Sequence, residues 1–273
     1  MKNPQLADTA PNASELFRAG KLAPAIEAAN AGLRKNPADL NARLLLAELL
    51  VFADNFERAD NILDAAAQID PTAMIGIAEF RQLLRAAMAR RQYSREGRLP
   101  EFLDEPTPAL REGLAALVAL RAGDAEAAAW HAAEAESLRP RVSGHAGDRE
   151  FDDFRDTDDL HAGFFELLTT TGKYFWIPTE RVERVEFHPP RRPRDLAWRR
   201  ASIAVANGPD GEVYLPAIYE AENRDVADDL RLGRATDWIG PEDGPVRGIG
   251  QRIYLAGNDA VGIMELTTIS FGR

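Results

Sequence analysis

Along the first 142 residues the apolar positions recur three or four apart, in stretches closed by Gly, Asp or Pro. Beyond that point they alternate or cluster in short runs separated by turn residues. The first pattern predicts amphipathic helices and the second predicts strands joined by tight turns. Within the second part, FFELLTTTGKYFWIP from Phe164 holds the turn residues Thr169 to Gly172 between two apolar runs, a hairpin ending at Pro178. One helical turn is expected at 179–181, then strands at Val182–Phe187, around Ala201–Val205 and at Val213–Leu215. A last hairpin is expected from Arg252–Leu255 and Ala260–Ile269, turning at Gly257-Asn258-Asp259. About six strands with one or two short helices predict a small twisted sheet or partly open barrel.

The helical part carries an internal repeat. Gly20, Lys21, Leu22, Ala25 and Pro37 recur 34 positions later as Asp54, Asn55, Phe56, Ala59 and Pro71, and that period is the tetratricopeptide one. On residues 40–73 the repeat's landmarks fall at Leu46, Ala47 and Leu50, then Ala59, Leu63 and Ala66, with Pro71 closing and Arg43 standing where the repeat usually has Trp. Alanines facing one another allow two antiparallel helices to approach closely. A first, shorter unit is expected to be capped at Asn12 with Glu15 three residues on, and a third runs from Thr107 through the turn Gly123-Asp124 to Pro140. Between them the pattern predicts one long helix, about Thr72 to Ser94, with Ile75, Phe80, Leu83, Leu84 and Met88 apolar and Arg81, Arg85, Arg90 and Arg91 polar. Stacked hairpins form a curved groove suited to an amphipathic helix or extended peptide. Asn41, Leu44, Glu48 and Val51 fall at the groove-facing positions of the best repeat.

Composition sharpens the division. Residues 1–142 hold 34 alanines and residues 143–273 hold 12, so helix propensity is concentrated in front. The expected organisation is α + β: a helical repeat domain at 1–142, an acidic linker at 143–160 and a mainly β domain at 161–273. The linker reading rests on DREFDDFRDTDD, residues 148–159, taken as a solvated connector whose Phe151 and Phe154 dock on a neighbour. A calcium loop is rejected there, because the central Gly and the closing Glu of an EF-hand are missing.

With 33 basic and 44 acidic residues the net charge is −11, the wrong sign for nucleic-acid binding. The absence of cysteine removes disulfides, thiolate metal sites and a cysteine nucleophile. Pro4, Asp8 and Pro11 interrupt what a signal peptide would need as an apolar run, and no stretch is long enough to span a membrane, so the expected location is cytoplasmic. His131, His145, His161 and His188 show no metal-ligand spacing, and neither a phosphate loop nor a nucleophile elbow is found. No cofactor is expected.

One further feature is a stiff basic segment, in which Arg191, Arg192 and Arg194 are interleaved with Pro189, Pro190 and Pro193 and followed by Trp198. It reads either as a clamp for a partner's carboxylate or as an internal tether to Glu183, Glu186 or the acidic stretch, with Trp176 and Trp198 as core aromatics.

The string YFWIPTERVERVEFHPPRRPRDLAWRRA, Tyr174 to Ala201, followed by GEVYLPAIY at Gly211–Tyr219 and by Asp237-Trp238, resembles the ImpE family, also called SciE or TagJ. The resemblance extends through the helical repeats and the closing GIMELTTISF, and departs from the family pattern mainly in the acidic stretch and the N-terminal extension. It implies a bacterial, cytoplasmic, non-catalytic accessory of type VI secretion. Such a protein binds the N-terminal segment of the contractile sheath's small subunit and acts as an adaptor to the AAA+ ATPase that dismantles contracted sheaths. Two other readings stand beside it, a generic repeat-array adaptor and a hydrolase with carboxylates in an inter-domain cleft.

Overall fold

A computed structural model describes residues 11–272 apart from 221–224, 241 and 243; residues 1–10, which underlie the signal-peptide reading, lie outside that set. The chain divides into two compact units, Met1–Pro71 and Thr72–Arg273.

The first unit is two helical hairpins, α1 (Ala13–Arg18) with α2 (Leu22–Lys35) and α3 (Leu40–Phe52) with α4 (Phe56–Ala67). Asn12 and Glu15 form the expected capping box, while Asp39 and Asn55 cap α3 and α4. The repeat shows in the backbone: each hairpin turns through a left-handed residue, Gly20 at φ 77° and, 34 positions later, Asp54 at φ 53°. Ala25, Ala47, Ala59, Ala66 and Leu63 are fully buried, so the small residues lie at the helix contacts, as the repeat requires. Arg43, in place of Trp, donates from Nε and Nη2 to the Pro37 carbonyl at 3.0 and 2.7 Å. It ties the start of α3 back to the turn before it.

The second unit opens with α5 (Met74–Glu96), stopped by Gly97 in the left-handed conformation at φ 83°. The third hairpin, α6 (Pro108–Arg121) and α7 (Ala125–Leu138), follows the expected boundaries, with Thr107 and Asp124 as caps and Gly123 as its turn at φ 77°. Helices then give way to strands.

Thirteen strands follow among the described residues. The first six are β1 (Gly144–Ala146), β2 (Arg149–Phe151), β3 (Phe154–Asp156), β4 (Phe164–Leu168), β5 (Tyr174–Pro178) and β6 (Val182–Phe187). After them come β7 (Trp198–Val205), β8 (Gly211–Pro216), a four-residue helix α8 (Asp228–Arg231) and β9 (Thr236–Ile239). The last four are β10 (Arg247–Gly250), β11 (Ile253–Ala256), β12 (Asp259–Gly262) and β13 (Thr268–Phe271). An eight-stranded sheet runs β2-β1-β13-β6-β7-β8-β4-β5, beside a three-stranded sheet β12-β11-β3 and a ribbon β10-β9.

The two larger sheets enclose one apolar core. Phe154, Tyr254, Ala256 and Val261 of the small sheet share it with Phe165, Leu167, Ile177, Val185, Ile203 and Leu215 of the large one. On the opposite face of the large sheet lies α5: Phe80 meets Trp198 edge-on at 6.2 Å, and Tyr93 meets Trp176 at 4.8 Å. Glu101 bridges to Phe175 in parallel, covering the edge that β5 would otherwise expose.

Two expectations are corrected here. The acidic stretch is not a solvated connector: it forms β2 and β3, buries Phe151 and Phe154 in the core, and buries Asp156 and Asp158 because arginine and histidine partners await them. The last hairpin is shorter than its apolar run suggested. β12 stops at Gly262, where the Glu265 amide donates to the Gly262 carbonyl at 2.9 Å, and β13 crosses to lie between β1 and β6 of the large sheet.

Candidate functional site

Asn41, Leu44, Glu48 and Val51, the positions expected to face a groove, lie along one stripe of α3, since their spacings of three, four and three residues follow the helical period. Asn41 is exposed and Leu44 half-buried, whereas Glu48 and Val51 are buried. The outer end of the stripe is therefore what the chain presents to solvent.

In the basic segment, a 3-10 turn at Pro193–Leu196 is closed by Asp195, whose Oδ2 accepts from the backbone amides of Arg191 and Arg192 at 2.8 and 3.0 Å. Arg191 and Arg192 are exposed. Arg194 turns inward toward α5, its guanidinium 4.6 Å from the Phe80 ring centroid and 3.7 Å from Glu79. Its partner thus comes from a helix rather than from Glu183 or Glu186, and Glu186 instead faces Arg184 at 2.9 Å. Trp198 and Trp176 are buried core aromatics.

The densest polar constellation is one the sequence reading passed over. Glu166 lies on the α5 side of β4, between Phe165 and Leu167, which point into the core. Arg90 of α5 grips it with Nε and Nη2, each at 2.8 Å, while Arg252, Tyr174 Oη and His161 converge on the same carboxylate. Arg252 also holds Asp156 at 2.8 Å, and His161 Nδ1 lies 3.0 Å from Asp158. Asp158 in turn accepts from the Gly248 amide at 3.0 Å, reaching β10. Burial pushes the Glu166 carboxyl up, but Arg90, Arg252 and His161 outweigh it and leave the group well below its usual range. At His161 burial opposes the charge, yet Asp158 and Glu166 raise it. Asp156 goes the other way, because burial exceeds what Arg252 offsets.

These carboxylates converge and are desolvated, which is what a hydrolase cleft requires. Their chemistry is that of a structural clamp: Glu166 is bound by two guanidiniums and has no freedom to take a proton. The adjoining cavity, lined by Arg90, Tyr93, His161 and Glu220, measures about 30 Å³, room for a single water rather than a substrate.

Ser202 lines an open groove of about 400 Å³ on the large sheet, and its Oγ lies 3.0 Å from His188 Nε2. Glu212 lies 4.0 Å from that same nitrogen and is held by Arg200 at 2.6 Å, so it does not orient the ring from the far side as a triad acid would. Ser202 stands mid-strand between Glu186 and Glu212, in a ladder that engages the neighbouring amides. Among the described residues, no group of three or more acidic or histidine side chains is disposed to hold a metal ion, and no helix is long and apolar enough to cross a membrane.

Sequence signals for the clamp existed. A lone Glu inside FFELL breaks an otherwise apolar strand, and the periodicity of β4 places it opposite the core-facing residues. Arg90 carries no such mark, since the long helix is rich in arginine and the period puts the residue on its polar face. It is buried because Glu166 meets it there.

Comparison with known proteins agrees with this architecture. Residues 148–270 match the ImpE protein family and residues 16–87 match a tetratricopeptide repeat family. The type VI secretion system accessory component TagJ of Pseudomonas aeruginosa is 30% identical over 261 residues, covering 95% of this chain and 90% of that protein. A crystal structure of a Vibrio parahaemolyticus protein superposes with a TM-score of 0.89 at 26% identity, covering 96% of this chain and 97% of the other. Repeats in front, a β region behind and similarity along nearly the full length place this chain in the ImpE family.

Proposed function

We propose that the protein is an accessory component of a type VI secretion system, a non-catalytic cytoplasmic adaptor. Its tetratricopeptide-like repeats receive the N-terminal helix of the contractile sheath's small subunit, and a second contact links that subunit to the AAA+ ATPase that recycles sheaths. The observation that carries this reading is the pair of helical repeats in a chain that matches TagJ over 95% of its length. A helical array of this kind buries apolar area along a partner helix without chemistry of its own. The clamped state of the Glu166 cluster, whose charges serve packing, supports the non-catalytic part.

The contact falls at the accessible end of the α3 stripe, at Asn41 and Leu44, with the exposed Arg191 as a second contact for acidic groups of a partner. Leu44→Asp places a charge where an apolar contact is needed. Burying a leucine contributes ~1.5–3 kcal/mol, so the variant should bind the sheath small subunit at least about tenfold more weakly. Pull-down with purified sheath subunit checks this, with circular dichroism confirming the helical content of the variant. Undiminished capture by a folded Leu44→Asp protein would exclude this face.

A further inference from the structure

Among the described residues four arginines are buried: Arg90, Arg139, Arg199 and Arg252. Three of them are matched. Arg90 holds Glu166, Arg139 holds Asp153 and Glu136 at 2.6 and 2.7 Å, and Arg252 holds Asp156 and Glu166. Arg199 is not. It is 5% exposed, its Nε and Nη1 are buried without a hydrogen-bond partner, and no described carboxylate or carbonyl accepts from any of its nitrogens. A buried guanidinium left in that state is unfavourable, so it calls for a reason.

Its position supplies one. Arg199 is the second residue of β7, in register with Leu215 of β8, and by strand alternation it shares the side of Ala201, Ile203 and Val205, which belong to the inter-sheet core. It stands at the end of that row, next to the Pro-Arg segment. The neighbouring carboxylate, Asp195, is committed to closing the 3-10 turn through the Arg191 and Arg192 amides, with its Oδ1 4.0 Å from Arg194 Nε. Arg194 itself stacks on Phe80. The local count is thus weighted toward cations, with the Nε and Nη1 of Arg199 left over.

We propose that Arg199 is an anion-binding residue, taking a small oxyanion, carboxylate or phosphate, on its guanidinium at the end of the inter-sheet core. A planar fork with two hydrogen-bonding edges suits either ion. This site is independent of the α3 contact, so it stands or falls separately from the sheath reading.

The test measures thermal unfolding of the full-length protein and of Arg199→Met in chloride buffer, then with inorganic phosphate or acetate added at constant ionic strength. Anything that binds only the folded state raises its melting temperature. The wild type should melt higher with at least one of the two anions, and Arg199→Met should lose that rise. In chloride alone Arg199→Met should melt at or above the wild type, because a buried unpaired charge has been replaced by an apolar chain of similar length. Arg199→Lys keeps a charge but not the fork, and isothermal titration should show the anion bound about tenfold or more weakly by it. If Arg199→Met does not fold, that titration decides. An indifferent wild type, a rise retained in Arg199→Met, or an Arg199→Met that melts lower in chloride would each overturn the assignment.

Discussion

Glu166→Ala should destabilise the protein by about 3–5 kcal/mol, the range seen when one member of a buried ion pair is removed and its partner is left uncompensated. Here four partners are affected, Arg90, Arg252, His161 and Tyr174. Arg90 would retain Glu220, at 3.6 Å, as its carboxylate and Arg252 would retain Asp156, while Tyr174 Oη would lose its acceptor. The loss is larger than for any surface pair of this chain, such as Arg111 with Glu105, because exposed pairs contribute little. Urea denaturation followed by circular dichroism gives the number. Glu166→Gln, which keeps the shape and one acceptor oxygen, should recover part of it. A change below about 1 kcal/mol in Glu166→Ala would mean that the arginines find water or other acceptors, and the clamp would lose its structural role.

The second large effect is expected at Trp176. This indole is fully buried, stacked on Phe164 at 3.8 Å, approached edge-on by Tyr93 at 4.8 Å and by Phe102 at 6.3 Å. Its Nε1 donates to Tyr174 Oη at 2.6 Å, and Tyr174 donates to Glu166, so the side chain joins the aromatic layer under α5 to the ionic clamp. Trp176→Ala should destabilise by ~3–5 kcal/mol from lost packing and the cavity left behind. Trp176→Phe refills much of the volume but leaves Tyr174 without its donor, and should fall between the two. Denaturation midpoints and the near-ultraviolet dichroism of the variants check the order. If Trp176→Phe is as damaging as Trp176→Ala, the hydrogen bond rather than the packing carries the effect.

Trp176 reads as a core aromatic from the sequence, whereas Glu166 does not stand out there, and the reason is physical. Helical periodicity is local, so the boundaries of α3, α4, α6 and α7 could be read from alanines, leucines and caps within a few turns of one another. The hairpin of β4 and β5 was equally legible from its turn residues. Pairing across distant segments was not. Arg90 and Glu166 lie far apart in the chain, and nothing near either one announces the other. The acidic stretch misled for a related reason: seven acids among twelve residues look solvated until Arg139, Arg252 and His161 are brought against three of them. Arg199 went unnoticed beside three exposed-looking arginines, because only the register of β7 turns it inward.

The repeat period was the most informative sequence feature for function. It located α3 and its stripe, but spacing alone does not distinguish which residues of a stripe stay accessible. Val51 and Glu48 proved buried, whereas Asn41 and Leu44 reach the surface, and that difference fixes where a partner helix would be sought.

Isothermal titration of the full-length protein with the purified small sheath subunit, intact and with its N-terminal helix deleted, tests the central claim most directly. Saturable binding to the intact subunit that vanishes on deletion of that one helix is the expected result. Equal binding to both forms, or none to either, would contradict it.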